Sequence, residues 1–304
     1  MDRMDIEFPL SEEQKQYKER LYKKLIKDKH VKAWLKKYKL PKDFIYAHTG
    51  KFSDWLEDVK KCDQCPGLAY CAQQIQGHYM DLYMDGFLSM GIHRCEYYKE
   101  QETQLSHGKY YVETKLSKEQ LMIDLEKLEL SNETKSYLYT VEKIITYLEN
   151  EQPQKGLYLW GKPGVGKSFL MIGVTNYYTK KHVRCAFVNV PTLISDLKMM
   201  FHDHDAMEKV LRTLRNVDIL ALDDIGGESV SVWSREDVLL PLLDQRMERK
   251  KLTFFTSNYN MDDLKERYCM TANNQSEPMA AERLLERIRT LAKAEFVKGE
   301  SRRN

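Results

Sequence analysis

The chain has 304 residues, 42% hydrophobic and 31% charged, which is enough apolar side chain for a packed core and, at roughly 100–200 residues per domain, enough length for two domains. Forty-eight Lys and Arg against 46 Asp and Glu leave a net charge of +2, which excludes attachment to a partner by bulk charge alone, so any nucleic-acid contact must come from a local patch. No apolar run approaches the ~18 residues of a membrane span, and the start, MDRMDIEFPLSEEQK, is acidic and lacks the apolar stretch of a signal peptide; a cytoplasmic protein without a membrane partner is expected.

From Ser11 to about Lys39, Tyr17, Leu21, Leu25, Val31, Trp34, Leu35 and Tyr38 recur near helical spacing and predict one amphipathic helix, ended near Pro41. Residues 1–40 hold twelve Lys and Arg against seven Asp and Glu, a solvated basic face that would also serve for docking. Four of the six cysteines, Cys62, Cys65, Cys71 and Cys95, then fall in one short window. In a reducing compartment such a cluster points to metal rather than to disulfides. Cys62-x₂-Cys65 offers two thiolates to one ion, and a Cys₂-His-Cys shell around Zn²⁺ would be closed and structural. Spacing does not choose between His78 and His93, or between Cys95 and Cys71, for the other two ligands. The polar segment 98–109 predicts a linker between a small helical zinc-binding domain, 1–106, and a second domain, 107–304.

The second domain changes texture. Helices are expected over 121–130 and 137–148, and then apolar strands alternate with helices: 156–160, 185–190, 218–224, 252–258 and 294–298. That alternation predicts an α/β fold, a parallel five-stranded sheet flanked by helices. Directly after the first strand, Gly161-Lys162-Pro163-Gly164-Val165-Gly166-Lys167-Ser168 satisfies G-x-x-x-x-G-K-[ST] and opens a helix. Gly161, Pro163, Gly164, Val165 and Gly166 let the backbone curl so that its N–H groups face phosphate, with Phe169 next in the helix N-terminus. Lys167 is expected to reach the β- and γ-phosphates of ATP, and the Ser168 hydroxyl to ligate Mg²⁺.

The strand 218–224 runs into Asp223 and Asp224. Asp223 is placed to hold Mg²⁺ and Asp224 to polarise the attacking water, with an Asp there suggesting slow or partner-dependent hydrolysis. Asn258 ends the strand expected to lie between the two motif strands, where it would orient that water. Arg246 ends a helix from which a neighbouring subunit would present it as an arginine finger, and Arg287, with Arg283 as competitor, lies on a helix that would fold back over the nucleotide.

P-loop, extra strand, paired acids and a polar sensor form the pattern of AAA+ ATPases. The segments LYLWGKPGVGKSFL, LDDIGGESVSVW, LPLLDQRM, FFTSNY and AERLLERI resemble the bacterial replicative-helicase loaders of the DnaI type, strongly over about 110–304. The resemblance implies an AAA+ ATPase that uses ATP to help place a hexameric replicative DNA helicase on single-stranded DNA during primosome assembly, together with other primosome proteins and with self-association through the ATPase domain. It also implies a zinc-binding first domain that docks on the helicase, and it favours His78 and Cys95 as the remaining zinc ligands. With only a few residues after the strand at 294–298, the C-terminal lid common in AAA+ proteins is not expected, and lid-borne contacts are expected from the helix at 280–291 or not at all. For DNA contact, Lys198, Met199, Met200 and Phe201 combine a cation with a stacking ring. Two rival readings are a transposition-helper ATPase and a zinc-stapled adaptor that uses ATP only as an assembly switch.

Overall fold

The computed structural model describes residues 11–131, 133–150, 153–270 and 276–302; most of the acidic start lies outside them. The chain divides into two compact units, Met1–Thr103 and Gln104–Asn304.

In the first unit the expected single helix is two, α1 (Glu12–Leu25) and α2 (Lys29–Tyr38). Asp28 separates them: its backbone is extended and its carboxylate accepts the His30 N–H, capping α2. Helices α3 (Asp43–Ala47) and α4 (Thr49–Lys60) follow. Their apolar faces enclose Leu25, Val31, Trp34, Ile45, Phe52 and Trp55, against which Leu82 and Leu88 pack from an antiparallel hairpin, β1 (His78–Asp85) and β2 (Phe87–Arg94). The unit is therefore not purely helical. Nor is 98–109 an unstructured linker, because α5 (Glu96–Leu105) occupies most of it. That helix buries no residue, so it carries no apolar stripe that periodicity could reveal.

In the second unit the sheet has six parallel strands rather than five, in the order β3-β5-β6-β7-β4-β8. These are β3 (Tyr111–Thr114), β4 (Gly156–Trp160), β5 (Cys185–Asn189), β6 (Ile219–Asp223), β7 (Leu252–Ser257) and β8 (Ala292–Phe296). The extra member, β3, is a four-residue edge strand too short to leave a period of two. Central strands are buried on both faces, alternate residues feeding two cores: Leu220, Leu222 and Phe255 on one side, Ile219, Ala221 and Phe254 on the other.

The helices are α6 (Lys118–Leu121), α7 (Lys135–Glu149), α8 (Lys167–Lys180), α9 (Val190–Met199), α10 (His204–Asn216), α11 (Leu240–Glu248), α12 (Met261–Cys269) and α13 (Pro278–Leu291). The helix expected over 121–130 shrinks to α6 and a 3₁₀ turn at Leu125–Lys127. There the buried Asn176 amide donates to the carbonyls of Gln120, Leu121 and Ile123, satisfying a backbone that is not helical.

Candidate functional site

Strand β4 ends at Trp160 and the chain turns through Gly161 into α8. Gly166 is the N-cap of α8 with φ +102°, left-handed backbone that favours glycine. At Gly161, φ is +155° and a side chain would collide with the Val297 carbonyl. Val165 is buried beneath the loop, while Ser168 and Phe169 are exposed on the first turn of α8.

Strand β7 lies between β4 and β6, which sets Asn258 beside both motifs. The Lys167 ammonium donates at 2.8 Å to each of the Gly161 carbonyl, the Lys162 carbonyl and Asn258 Oδ1. Asn258 Nδ2 donates at 2.9 Å to Asp224 Oδ1. One amide thus spans the P-loop lysine and the expected water-polarising acid. Below it Thr256 serves both acids, donating its hydroxyl to Asp223 Oδ1 at 2.6 Å and accepting the Asp224 N–H at 2.9 Å. Asp223 is buried, and Asp224 takes a left-handed φ of +57° that re-aims the chain as β6 ends. Together these groups open on a cleft of about 690 Å³, which Pro163, Gly164, Ser168 and Phe169 also line, within the usual size of a small-molecule site. Lys167, Ser168, Asp223, Asp224 and Asn258 are thereby brought together.

The two arginines are not. Arg246 is fully buried: Nε donates to Thr253 Oγ1 at 2.9 Å, Nη1 to the Leu214 and Val217 carbonyls at 2.8 and 2.9 Å, and Nη2 to the Leu252 carbonyl at 2.6 Å. Desolvation pushes its guanidinium down to about 9, Asp218 opposing, so it stays charged at neutral pH. With every donor nitrogen used inside its own unit it has no reach to a neighbouring subunit, and the finger role is corrected to a structural one. Arg287 on α13 donates to Asp244 Oδ1 at 2.6 Å and to Glu286, and it does not line the cleft. Arg283 lies beside Glu236 instead.

A different arginine does line the cleft. Arg302 donates its backbone N–H to the Gly164 carbonyl at 3.0 Å, sets its guanidinium 3.9 Å over the Tyr137 ring and pairs with Glu133 at 2.6 Å. Nothing in its sequence setting, GESRRN, marks it. Asn189 is a second residue that the sequence reading passed over: it caps α9 through the Thr192 N–H and approaches Asp223 Oδ2 at 3.5 Å. Its signal was available as an Asn two residues before Pro191.

In the first unit, no group of three or more His, Cys, Asp or Glu converges as a metal site among the described residues. The side chains turn to local partners instead. Cys62 Sγ accepts from Gln73 Nε2 at 3.1 Å, Cys71 Sγ accepts the Gly77 N–H at 3.3 Å, and Cys65 Sγ donates to the Gly67 carbonyl at 3.6 Å. Burial pushes the Cys62 thiol up, against the Gln73 hydrogen bond and with contributions from Cys65 and Cys71. His78 Nδ1 lies 3.0 Å from the Gln76 carbonyl; a carbonyl only accepts, so Nδ1 is the donor in this contact and Nε2 is the ring nitrogen facing away from it.

Of the expected DNA contacts, Lys198, Met199 and Phe201 are exposed, the Phe201 ring edge-on to Trp233 at 4.9 Å, while Met200 is half-buried. No helix among the described residues is long and apolar enough to cross a membrane.

A glycine-cradled helix N-terminus, a lysine within it and paired acids one strand beyond the neighbouring strand define a P-loop nucleotide-binding protein. The profile of the IstB-like ATP binding proteins matches residues 75–304, and the chain belongs to that family. It is 28% identical over 291 residues to the replicative helicase loader DnaI of Bacillus subtilis, covering 94% of this chain and 93% of that one. A crystal structure of DnaI superposes with a TM-score of 0.52 at 31% identity, spanning 65% of this chain and 99% of that one. For the DnaC helicase loader the values are 0.50, 26%, 60% and 100%. The resemblance to DnaI-type loaders is thus borne out along nearly the whole chain.

Proposed function

We propose that the chain is an ATP-dependent loader that binds a hexameric replicative helicase and helps place it on single-stranded DNA, acting with other primosome proteins. The observation that carries this reading is the extent of the likeness to DnaI, over both units rather than the ATPase unit alone. The IstB-like profile begins at residue 75, so a transposition-helper role accounts for the second unit and leaves most of the first without a purpose. A pull-down of the full chain from cell extract with ATP should recover a hexameric helicase; recovery of a transposase instead would reverse the reading.

Within the cleft, Lys167 and the P-loop N–H groups hold the triphosphate, and the buried Asp223 with the Ser168 hydroxyl would hold Mg²⁺. The ion supplies charge neutralisation between the phosphates. Asp224 orients and deprotonates the attacking water, and Asn258 fixes the Asp224 carboxylate through its 2.9 Å bond. Arg302 adds positive charge from the C-terminal side. Asp224→Asn should keep ATP affinity within about twofold and lower turnover by roughly 10²-fold or more, read as phosphate release with helicase and single-stranded DNA present. Full turnover by that variant would remove Asp224 from the role, and no turnover by the parent chain would favour ATP as an assembly switch.

For the first unit we propose helicase docking, with the lysine-rich α1 and α2 as its exposed face, and one structural Zn²⁺. The donor chemistry fits: Cys62 and Cys65 supply a knuckle, His78 offers Nε2 with Nδ1 anchored on a carbonyl, and Cys95 or Cys71 completes the set. Elemental analysis of chelator-free protein should give one Zn²⁺ per chain, and Cys62→Ser should lose it and unfold this unit while ATP binding persists. Less than half an equivalent would sink the assignment. The second unit is assigned single-stranded DNA binding, through Lys198, Met199 and the exposed Phe201 ring, and self-association.

A further inference from the structure

Asp224 is followed by Ile225-Gly226-Gly227-Glu228, a turn with an unusual buried acid at its end. Glu228 is 2% exposed and Tyr268, on α12, is fully buried. The Tyr268 hydroxyl donates to Glu228 Oε1, and the Gly226 N–H donates to Glu228 Oε2 at 2.9 Å. Arg267, the preceding residue of α12, donates Nε to the Gly226 carbonyl at 3.2 Å and Nη2 to the Glu228 carbonyl at 3.1 Å. A buried carboxyl group without these partners would be strongly disfavoured, its polar oxygens removed from water with nothing in exchange. Its presence in an otherwise apolar core thus calls for a purpose beyond packing, and Leu264 and Tyr259 already fill the space around Gly226.

What the carboxylate holds is the turn behind Asp224. Gly226 sits at φ +89°, and the Gly227 N–H donates back to the Asp224 carbonyl at 3.0 Å. A side chain at Gly227 would fall 2.5 Å from Asp224 Oδ2, so this glycine backs the carboxylate oxygen that Asn258 does not bind. Asp224 itself is in left-handed backbone, a conformation that persists only where the surroundings over-determine it. On one side the surroundings are Thr256 and Asn258; on the other they are the turn, and the turn is fastened to α12 by Glu228 and Arg267.

We propose that Glu228, clamped by Tyr268 and Arg267, is a positioning residue for ATP hydrolysis: it fixes the 225–228 turn so that Asp224 faces the γ-phosphate side of the cleft. This rests on the ATPase reading above. Glu228 does not itself line the cleft, so it acts on turnover through Asp224 and not on nucleotide binding. Displacement of a reacting group by about 1 Å costs on the order of 10²-fold in rate, which sets the scale of the effect. It also makes α12 the element whose movement would tighten or relax the hydrolytic acid.

The test uses the full chain with helicase and single-stranded DNA, measuring ATP affinity and turnover for Glu228→Gln, Tyr268→Phe and the double variant Glu228→Gln with Asp224→Asn. Glu228→Gln replaces one of the two acceptor oxygens by an amide nitrogen, so the bond from the Gly226 N–H is lost or that from the Tyr268 hydroxyl must reverse, and kcat should fall 10- to 100-fold with ATP affinity unchanged. Tyr268→Phe, which removes one hydroxyl, should fall by a smaller factor in the same parameter and serves if Glu228→Gln does not fold. The double variant should be no slower than Asp224→Asn alone, because both changes remove the same function; a merely destabilising change would add its own loss. Full turnover in both single variants, or loss of ATP affinity in step with turnover, would overturn the proposal while leaving the ATPase reading intact. A parent chain without turnover would overturn both.

Discussion

Lys167→Ala is expected to abolish ATP binding, raising Kd by two orders of magnitude or more in equilibrium titration. The ammonium is the one cation embedded in the P-loop backbone, and it is buried at 6% exposure with acceptors at 2.8 Å on three sides. Charge-assisted hydrogen bonds to phosphate contribute about 1.5–3 kcal/mol each, and 1.4 kcal/mol is tenfold in affinity. The substitution also frees the Gly161 and Lys162 carbonyls and Asn258 Oδ1, so the Asp224–Asn258 contact should loosen with it. Binding retained within a few-fold would mean that the loop N–H groups alone hold the nucleotide.

Arg246→Ala should act through the fold and not through the nucleotide. Its guanidinium closes the junction of α10, α11 and the start of β7 by bonding the Leu214, Val217 and Leu252 carbonyls. Removing it leaves three carbonyls and Thr253 without that donor in a site closed to water, and opens a large void. About 3–5 kcal/mol of stability is expected to go, lowering the melting temperature of the second unit by on the order of 10 °C. Arg246→Lys should recover little, since one ammonium cannot span acceptors that the planar fork reaches from three nitrogens. If Arg246→Ala melts normally yet loses turnover only in assemblies, the finger role would have to be restored.

These two residues show what the sequence made legible. Lys167 was readable because the chemistry of a phosphate cradle dictates local spacing, and the flanking strand and helix confirm it within a dozen residues. Asp223, Asp224 and Asn258 were readable for a related reason: each ends a buried strand, and parallel order places strand ends on one edge. Arg246 failed because an arginine near a helix end looks the same whether it faces a neighbour or turns inward, and only tertiary packing decides. Arg302 and Glu228 failed for lack of any local signature; they reach the site through Gly164 and through α12, contacts that span more than a hundred and about forty residues. In the first unit the Asp28 break was available as a capping signal but was overridden by a continuous apolar stripe, and the β1–β2 hairpin leaves no period of two because each of its strands buries only one residue, Leu82 and Leu88.

Strand β4 carries the P-loop, yet both of its neighbours, β7 and β8, come later in the chain, whereas β3, β5 and β6 pair among themselves. During synthesis β3, β5 and β6 can pair with one another before residue 252 is made, β6 keeping one open edge for β7, while the P-loop strand waits with two open edges. The cradle and the paired acids are therefore complete in sequence long before they are joined in space, and β7 is the piece that joins them. A joined nucleotide site is a property of a chain translated past Ser257, so the nascent chain has no complete cleft until most of its second unit exists.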